Sequence, residues 1–274
     1  MLHFAVAGVP HSTPAPGGTV EGLLRAKKLK INAMEIEWVQ NVPKNPDRMA
    51  EIRETAEELG ITLTVHAPYF VNLNSPDSAK LAASKRRILD TLSMAELCGA
   101  TSVCVHAAFN LGQESNKVYD NVRHATADIM KHKSSLFPRV NLAYETMGKQ
   151  TQFGTLEEAL KISKEFGNYP CVDFAHLHAR ENGALNSAKE LETMIDLYQK
   201  VLGKKALKRM HIHYSGIEYS AKGERKHLPL QKSDAKWQDF LKVLKKRKIE
   251  GVVVCESPLL EKDTLLLQQY FQNL

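Results

Sequence analysis

Six short apolar runs in this chain close on an imidazole or a carboxylate. TLTVHA (62–67) carries His66, TSVCVHA (101–107) carries His106 and VNLAYET (140–146) carries Glu145. PCVDFAH (170–176) carries Asp173 and, three residues on, His176. RMHIHYS (209–215) offers His211 and His213, and GVVVCES (251–257) carries Glu256. Mixed imidazole nitrogen and carboxylate oxygen suits Zn²⁺, Mn²⁺ or Fe²⁺ better than Ca²⁺ or Mg²⁺ alone. Taken singly, each residue has a plainer reading. A lone histidine at a strand end is more often hydrogen-bonded than metal-bound, and a lone buried glutamate often pairs with a lysine. The series is different, because buried imidazoles and carboxylates are costly unless paired or metal-bound. More than four candidates exceed one tetrahedral ion, so the pattern predicts two or three.

Those runs need a scaffold that brings their ends to one place. Two further runs, LHFAVAG (2–8) and AMEIEW (33–38), precede them and make eight in all. Between the runs lie segments with helical apolar spacing, among them 49–60, 79–100, 186–203 and 234–251. Gly60, Gly99 and Gly203 stand where helix C-caps are expected, and Asn186 and Asp234 where N-caps are. Eight strand–helix units in 274 residues predict an α/β fold, a single-domain (β/α)₈ TIM barrel spanning 1–274. Its metal site would sit at the C-terminal ends of the strands. A doubly wound open sheet is the runner-up, but GVPHSTPAPGG (8–18) is no phosphate-binding glycine fingerprint.

Composition narrows the class. Hydrophobic residues make up 43% and charged residues 25%, ordinary for a globular protein with a sizeable core. Lys plus Arg (37) exceeds Asp plus Glu (31) by 6, which permits an anionic partner without requiring one. Cys98, Cys104, Cys171 and Cys255 show no CxxC spacing, and three lie in apolar runs, so reduced thiols are expected. The start MLHFAVAGVP does not read as a signal peptide, and no apolar run reaches the length of a membrane span. The expectation is a cytoplasmic monomer.

HAPYFVNLNSP (66–76), VHAAFNLG (105–112), AYETMGKQTQFGT (143–155), VDFAHLHARENG (172–183), MHIHYSG (210–216) and CESP (255–258) follow one another in order. Together they resemble the endonuclease IV family of AP endonucleases, within the xylose-isomerase-like TIM barrel superfamily. The resemblance implies a metal-dependent DNA-repair endonuclease. It would hydrolyse the phosphodiester 5′ to an abasic site in double-stranded DNA, leaving a 3′-hydroxyl and a 5′-deoxyribose phosphate. It implies two or three Zn²⁺ ions, with Mn²⁺ and Fe²⁺ as alternatives.

Position by position, the resemblance makes Glu145 the catalytic carboxylate that bridges two metals. His66 and His106 complete the first site, and Asp173, His211 and Glu256 the second. The third site would use His176 and an Asp-x-His pair. Here KGERKHLPL (222–230) supplies His227 but puts Arg225 at the aspartate position, leaving Glu224, His213 or His178 as substitutes. Tyr69 and Phe70 fall where family members push side chains into the gap left by an extruded abasic nucleotide, making them candidate DNA-binding residues. Both rings could instead simply cover the barrel mouth. An arginine that the family inserts from the loop after the second strand has no clear counterpart in VQNVPKNPDR (39–48), where Lys44 and Arg48 are nearest. Lys44, Lys149, Lys222 and Lys226 are candidate phosphate contacts, and His11 shares the same mouth. LKKRKIEG (244–251) reads as a solvated helix end on the opposite face.

Two rival readings remain. A divalent-metal sugar isomerase or epimerase of the same superfamily would use Glu145, Asp173, His211 and Glu256 around one ion, and would not need His106 and His176. A non-catalytic protein that binds damaged DNA would bind abasic duplex without cutting it.

Overall fold

Eight parallel strands form the centre of the molecule in a computed structural model describing residues 1–274. They are β1 (Leu2–Ala7), β2 (Ala33–Glu37), β3 (Thr62–His66), β4 (Ser102–Val105), β5 (Asn141–Tyr144), β6 (Cys171–Asp173), β7 (Met210–Tyr214) and β10 (Gly251–Cys255). Hydrogen bonds link them in the order β5-β4-β3-β2-β1-β10-β7-β6, and a parallel bridge from Glu145 to Cys171 joins the two ends. This is a (β/α)₈ barrel, as the eight runs predict. The strands β8 (Gly216–Ser220) and β9 (Gly223–Leu228) form a separate antiparallel hairpin at its mouth.

Successive strand residues face opposite sides, and the sequence uses the two sides differently. Outward positions such as Val65, Val103, Leu142, Ile212 and Val253 are bulky and pack beneath the helices in two large apolar clusters. Inward positions are small: Ala5, Ala33, Val252 and Val254 form one group, and Cys104, Ala143 and Cys171 another. A barrel filled this way leaves interior volume for imidazoles and carboxylates near its C-terminal end. All four cysteines are buried and free, as expected.

The helix boundaries correct several expectations. Asn45 caps the helix Pro46–Leu59 by accepting from the amides of Asp47 and Arg48, and Gly60 ends it at φ +65°. Ser187, not Asn186, caps Ala188–Leu202, because its hydroxyl and Glu190 form a reciprocal capping box. Asp234 caps nothing: the next helix starts at Trp237, and the Asp234 carboxylate accepts from Tyr219 Oη at 2.6 Å. Gly203 caps Ala188–Leu202 as expected, and Gly99 (φ +76°) closes the helix Ser78–Leu97 one residue after Cys98, with the Ala100 amide donating back to the Ala95 carbonyl at 2.9 Å as Ile61 does to Ala56 at Gly60. The run 170–176 does not stay extended. β6 stops at Asp173, whose side chain accepts from the His176 amide at 2.7 Å and starts the helix Phe174–Arg180.

At the opposite, N-terminal end of the barrel lies a cavity of about 480 Å³ lined by residues such as His3, Thr64, Ser102, Asn141 and Arg209. The basic segment 244–251 lies at that end too, where Lys246 pairs with Glu192 and Arg247 with Asp196. No helix is long and apolar enough to cross a membrane.

Candidate metal centre

Glu145 stands one residue past β5 and is buried at the middle of the barrel mouth. Four imidazoles surround its carboxylate. His106 Nε2 is 2.7 Å away and His66 Nε2 3.5 Å. His213 Nδ1 is 3.1 Å from Oε1 and His176 Nδ1 3.3 Å. His66, His106 and Glu145 thus converge as one set of donors, with His66 held by a contact from Nδ1 to the Ala67 carbonyl at 2.8 Å.

A second set contains Glu145, Asp173, Glu256 and His213. β7 contributes His213 to this set, while His211 converges with Glu35 and His213 in a separate group of possible donors. Strand register is the reason: His213 pairs with Asp173 on β6 and with Val254 on β10, whereas His211 pairs with Cys171 and Val252, one layer deeper. His211 instead joins its Nε2 to Glu35 Oε2 at 2.8 Å and its Nδ1 to Ser102 Oγ at 3.1 Å. Glu35 Oε1 also approaches His213 Nε2 at 2.8 Å, although the ring is angled too far off for a hydrogen bond.

His176, Glu224 and His227 form the third set. The hairpin explains how. On β9, Glu224 turns toward His176, with Oε2 3.6 Å from Nε2, while Arg225 points outward and pairs with Glu218 at 3.1 Å. His227 Nδ1 contacts the Glu256 carbonyl at 3.0 Å. Gly148 makes room for the set, since a Cβ there would stand 2.7 Å from Glu224 Cβ. His178 is committed elsewhere: its ring nitrogens contact the Ala184 carbonyl at 2.6 Å and Asp234 at 3.2 Å.

The electrostatics call for cations. Glu35, Glu145, Asp173, Glu224 and Glu256 gather here with histidines as their only ion-pair partners, and Glu37 beside them has none. Burial disfavours the Glu145 anion, yet the charges of His106 and His213 hold its carboxyl well below the usual range. Burial likewise opposes charge on His66, but Glu145 and Glu37 pull it up to about 10. Burial pushes Asp173 well up, reinforced by Glu256 and Glu145. Asp173 Oδ2 and Glu256 Oε2 are buried without any hydrogen-bond partner. Orphaned carboxylate oxygens beside converging imidazoles fit divalent metal, which would displace the imidazolium protons.

Two carboxylates of this site went unnoticed in the sequence. Glu35 and Glu37 alternate with the buried Met34 and Ile36 along β2, so both face the barrel interior. Their period-2 spacing in AMEIE was the available signal. Burial drives the Glu37 carboxyl up to about 8.

Around the mouth, Tyr69 leans over the first donor set, its ring centroid 5.1 Å from those of both His66 and His106. Phe70 stands clear at 66% exposed. Phe109 and Leu111, in the loop after β4, are also exposed, and Asn74 links the two loops by donating to the Phe109 carbonyl at 2.9 Å. Arg48 is turned away and pairs with Glu51 at 2.6 Å. Lys44, Lys149 and Lys222 are exposed on mouth loops, whereas Lys226 pairs with Glu218 at 3.2 Å. His11 is exposed and contributes its amide to Glu261 at 3.0 Å.

Comparison with known proteins gives this architecture relatives. An uncharacterized protein of Methanocaldococcus jannaschii is 38% identical over 274 residues, covering 100% of this chain and 98% of that protein. A probable endonuclease 4 of Oceanobacillus iheyensis is 25% identical over 197 residues, covering 68% of this chain and 64% of that protein. Among solved structures, endonuclease IV from Thermus thermophilus superposes with a TM-score of 0.75 at 16% identity, covering 99% of this chain and all (100%) of that one. A D-tagatose 3-epimerase-like protein gives 0.73 at 18% identity, covering 99% and 96%. The family model for the xylose isomerase-like TIM barrel matches residues 23–272, and the chain belongs to that family.

Proposed function

We propose that this protein is a metal-dependent DNA-repair endonuclease that hydrolyses the phosphodiester 5′ to an abasic site. The observation that carries this reading is the joining of three donor sets by Glu145 and its neighbours. Glu145 belongs to the first two, and His176, in contact with Glu145, begins the third. In this reading His66, His106 and Glu145 hold one ion, Glu145, Asp173, His213 and Glu256 a second, and His176, Glu224 and His227 a third. Zn²⁺ matches these donors best, and Mn²⁺ and Fe²⁺ suit them as well. When bound, such ions supply Lewis acidity and lower the pKa of coordinated water toward roughly 7.

The chain's own residues do the rest. Glu145 fixes the spacing of the first two donor sets and orients the attacking water. Tyr69 and Phe70 present aromatic surface beside the site, suited to fill the gap left by an extruded baseless nucleotide. Exposed Lys44, Lys149 and Lys222 are placed to meet phosphates. The products would be a 3′-hydroxyl and a 5′-deoxyribose phosphate. The probable endonuclease 4 relative supports the nucleic-acid reading, and the formal charge of +6 accords with a polyanionic substrate. We assign it to the cytoplasm as a monomer acting on duplex DNA.

The second reading is a sugar epimerase. It is favoured by the epimerase-like fold neighbour and by the Glu145–Asp173–His213–Glu256 set, which alone would serve one ion. Metal content separates the two. Two or three ions per chain, with no epimerisation of ketoses, supports the nuclease. A single ion, with ketose epimerisation, overturns it.

A further inference from the structure

Directly beneath the carboxylate-lined ring the barrel holds two thiols. Cys104 on β4 and Cys171 on β6 face inward, are fully buried, and sit together with Ala143 of β5. Cys104 Sγ donates to Glu145 Oε2 at 3.3 Å. One donor atom from each of Cys104, Cys171, Glu145 and His213 lies within 4.8 Å of the other three. Around a tetrahedral ion, bonds of about 2.3 Å to sulfur and about 2.0–2.1 Å to nitrogen or oxygen place neighbouring donors roughly 3.3–3.8 Å apart. The 3.3 Å Cys104–Glu145 contact is already at that spacing, and with every donor within 4.8 Å no pair must close by more than about 1.5 Å, within side-chain movement. Cys98 and Cys255 are elsewhere: Cys98 follows the helix Ser78–Leu97 and donates to the Ala95 carbonyl, and Cys255 packs on the outer face of β10.

Glu145 and His213 belong both to this sulfur-bearing set and to the oxygen-rich set above it with Asp173 and Glu256. The two sets therefore compete for one ion. We propose that Cys104, Cys171, Glu145 and His213 form a second seat for that ion, one layer deeper in the barrel and selective for soft divalent metals. Thiolate donors favour Cd²⁺ and Zn²⁺, whereas Mn²⁺ prefers oxygen donors and stays in the upper seat with Asp173 and Glu256. Each thiol gives up its proton to solvent when the metal binds. Metal identity then sets how deep the ion sits, and so whether Asp173 and Glu256 remain engaged. This inference rests on the metal-site reading above.

The test is the absorption spectrum of the full-length protein reconstituted with Co²⁺. A sulfur-to-cobalt charge-transfer band is expected in the wild type, lost in Cys104→Ser with Cys171→Ser, and kept in Cys98→Ser with Cys255→Ser. The first double variant is also expected to bind Cd²⁺ at least about tenfold more weakly while its Mn²⁺ affinity is unchanged. The wild-type spectrum decides even where a variant fails to fold. Bound Co²⁺ without the band overturns the sulfur seat and leaves the metal-site reading standing. A wild-type protein that takes up no Co²⁺ overturns both.

Discussion

Replacing His213 and His211 separately, each by glutamine, distinguishes a ligand from the residue that supports it. His213 Nδ1 faces Glu145 at 3.1 Å and Glu256 at 3.4 Å, level with Asp173. His211 reaches only Glu35 and Ser102, so it acts on the metal through Glu35 and the His213 ring. His211→Gln removes the hydrogen-bond partner of the buried Glu35 and His213→Gln one partner of the buried Glu145, each at a cost of about 1–3 kcal/mol. Thermal stability therefore falls similarly in both and does not separate them. Metal binding does. His211→Gln removes a supporting group, which typically weakens a site about 10–100-fold, or about 1.4–2.7 kcal/mol. Its ion count at saturation stays at the wild-type value. His213→Gln removes a donor, and the count falls by one. Elemental analysis of dialysed protein, with chelator competition for affinity, reads both quantities. Loss of an ion in His211→Gln with a full complement in His213→Gln would refute the assignment from strand register.

Three further outcomes follow from the same geometry. Tyr69→Ala combined with Phe70→Ala weakens binding to an abasic duplex by about 1–3 kcal/mol for each stacked ring removed, measured by fluorescence anisotropy, while metal content is unchanged; falling metal content would mean that the rings only brace the histidines. Glu224→Ala lowers occupancy of the His176–Glu224–His227 set, read by elemental analysis, and Arg225→Ala leaves it intact; the reverse result would show that the hairpin is wrongly placed. Metal-free protein loses stability as pH rises. His66, ordinarily near 6.5, stands at about 10 in the fold, and Glu37, ordinarily near 4.5, stands at about 8, so their contributions are present at low pH and lost as pH climbs through the folded values. Glu256 works oppositely: held at about 2, its contribution is present above 4.5 and lost as pH falls toward 2. Thermal melts of the metal-free protein should then peak near pH 4.5 and decline on the alkaline side, and a melting temperature still rising from pH 7 to 9 would contradict these assignments.

Much of this was legible in the sequence, for identifiable reasons. The barrel follows from eight apolar runs with helical spacing between them, and the donors follow from where those runs end. The choice between His211 and His213 does not. Both lie on the inward face of one strand, and only pairing with β6 and β10 determines which is level with Asp173. Glu35 and Glu37 were readable from period-2 alternation, but a charged pair in a strand looks anomalous until its partners, His211 and His213 across the barrel on β7 and His66 on β3, are known. The third donor set was obscured for a different reason. Residues 222–230 read as a loop, in which Arg225 held the aspartate position, whereas the hairpin turns Arg225 outward and Glu224 inward. The capping roles expected of Asn186 and Asp234 failed because Ser187 forms a capping box and Asp234 is engaged by Tyr219 and His178.

The most direct test of the central claim is incision of a duplex carrying one abasic analogue by Zn²⁺- or Mn²⁺-loaded protein, with the product termini mapped. The account predicts a single cut 5′ to the lesion that leaves a 3′-hydroxyl and disappears in Glu145→Ala. Intact duplex at saturating protein and metal, or incision unchanged by Glu145→Ala, would contradict it.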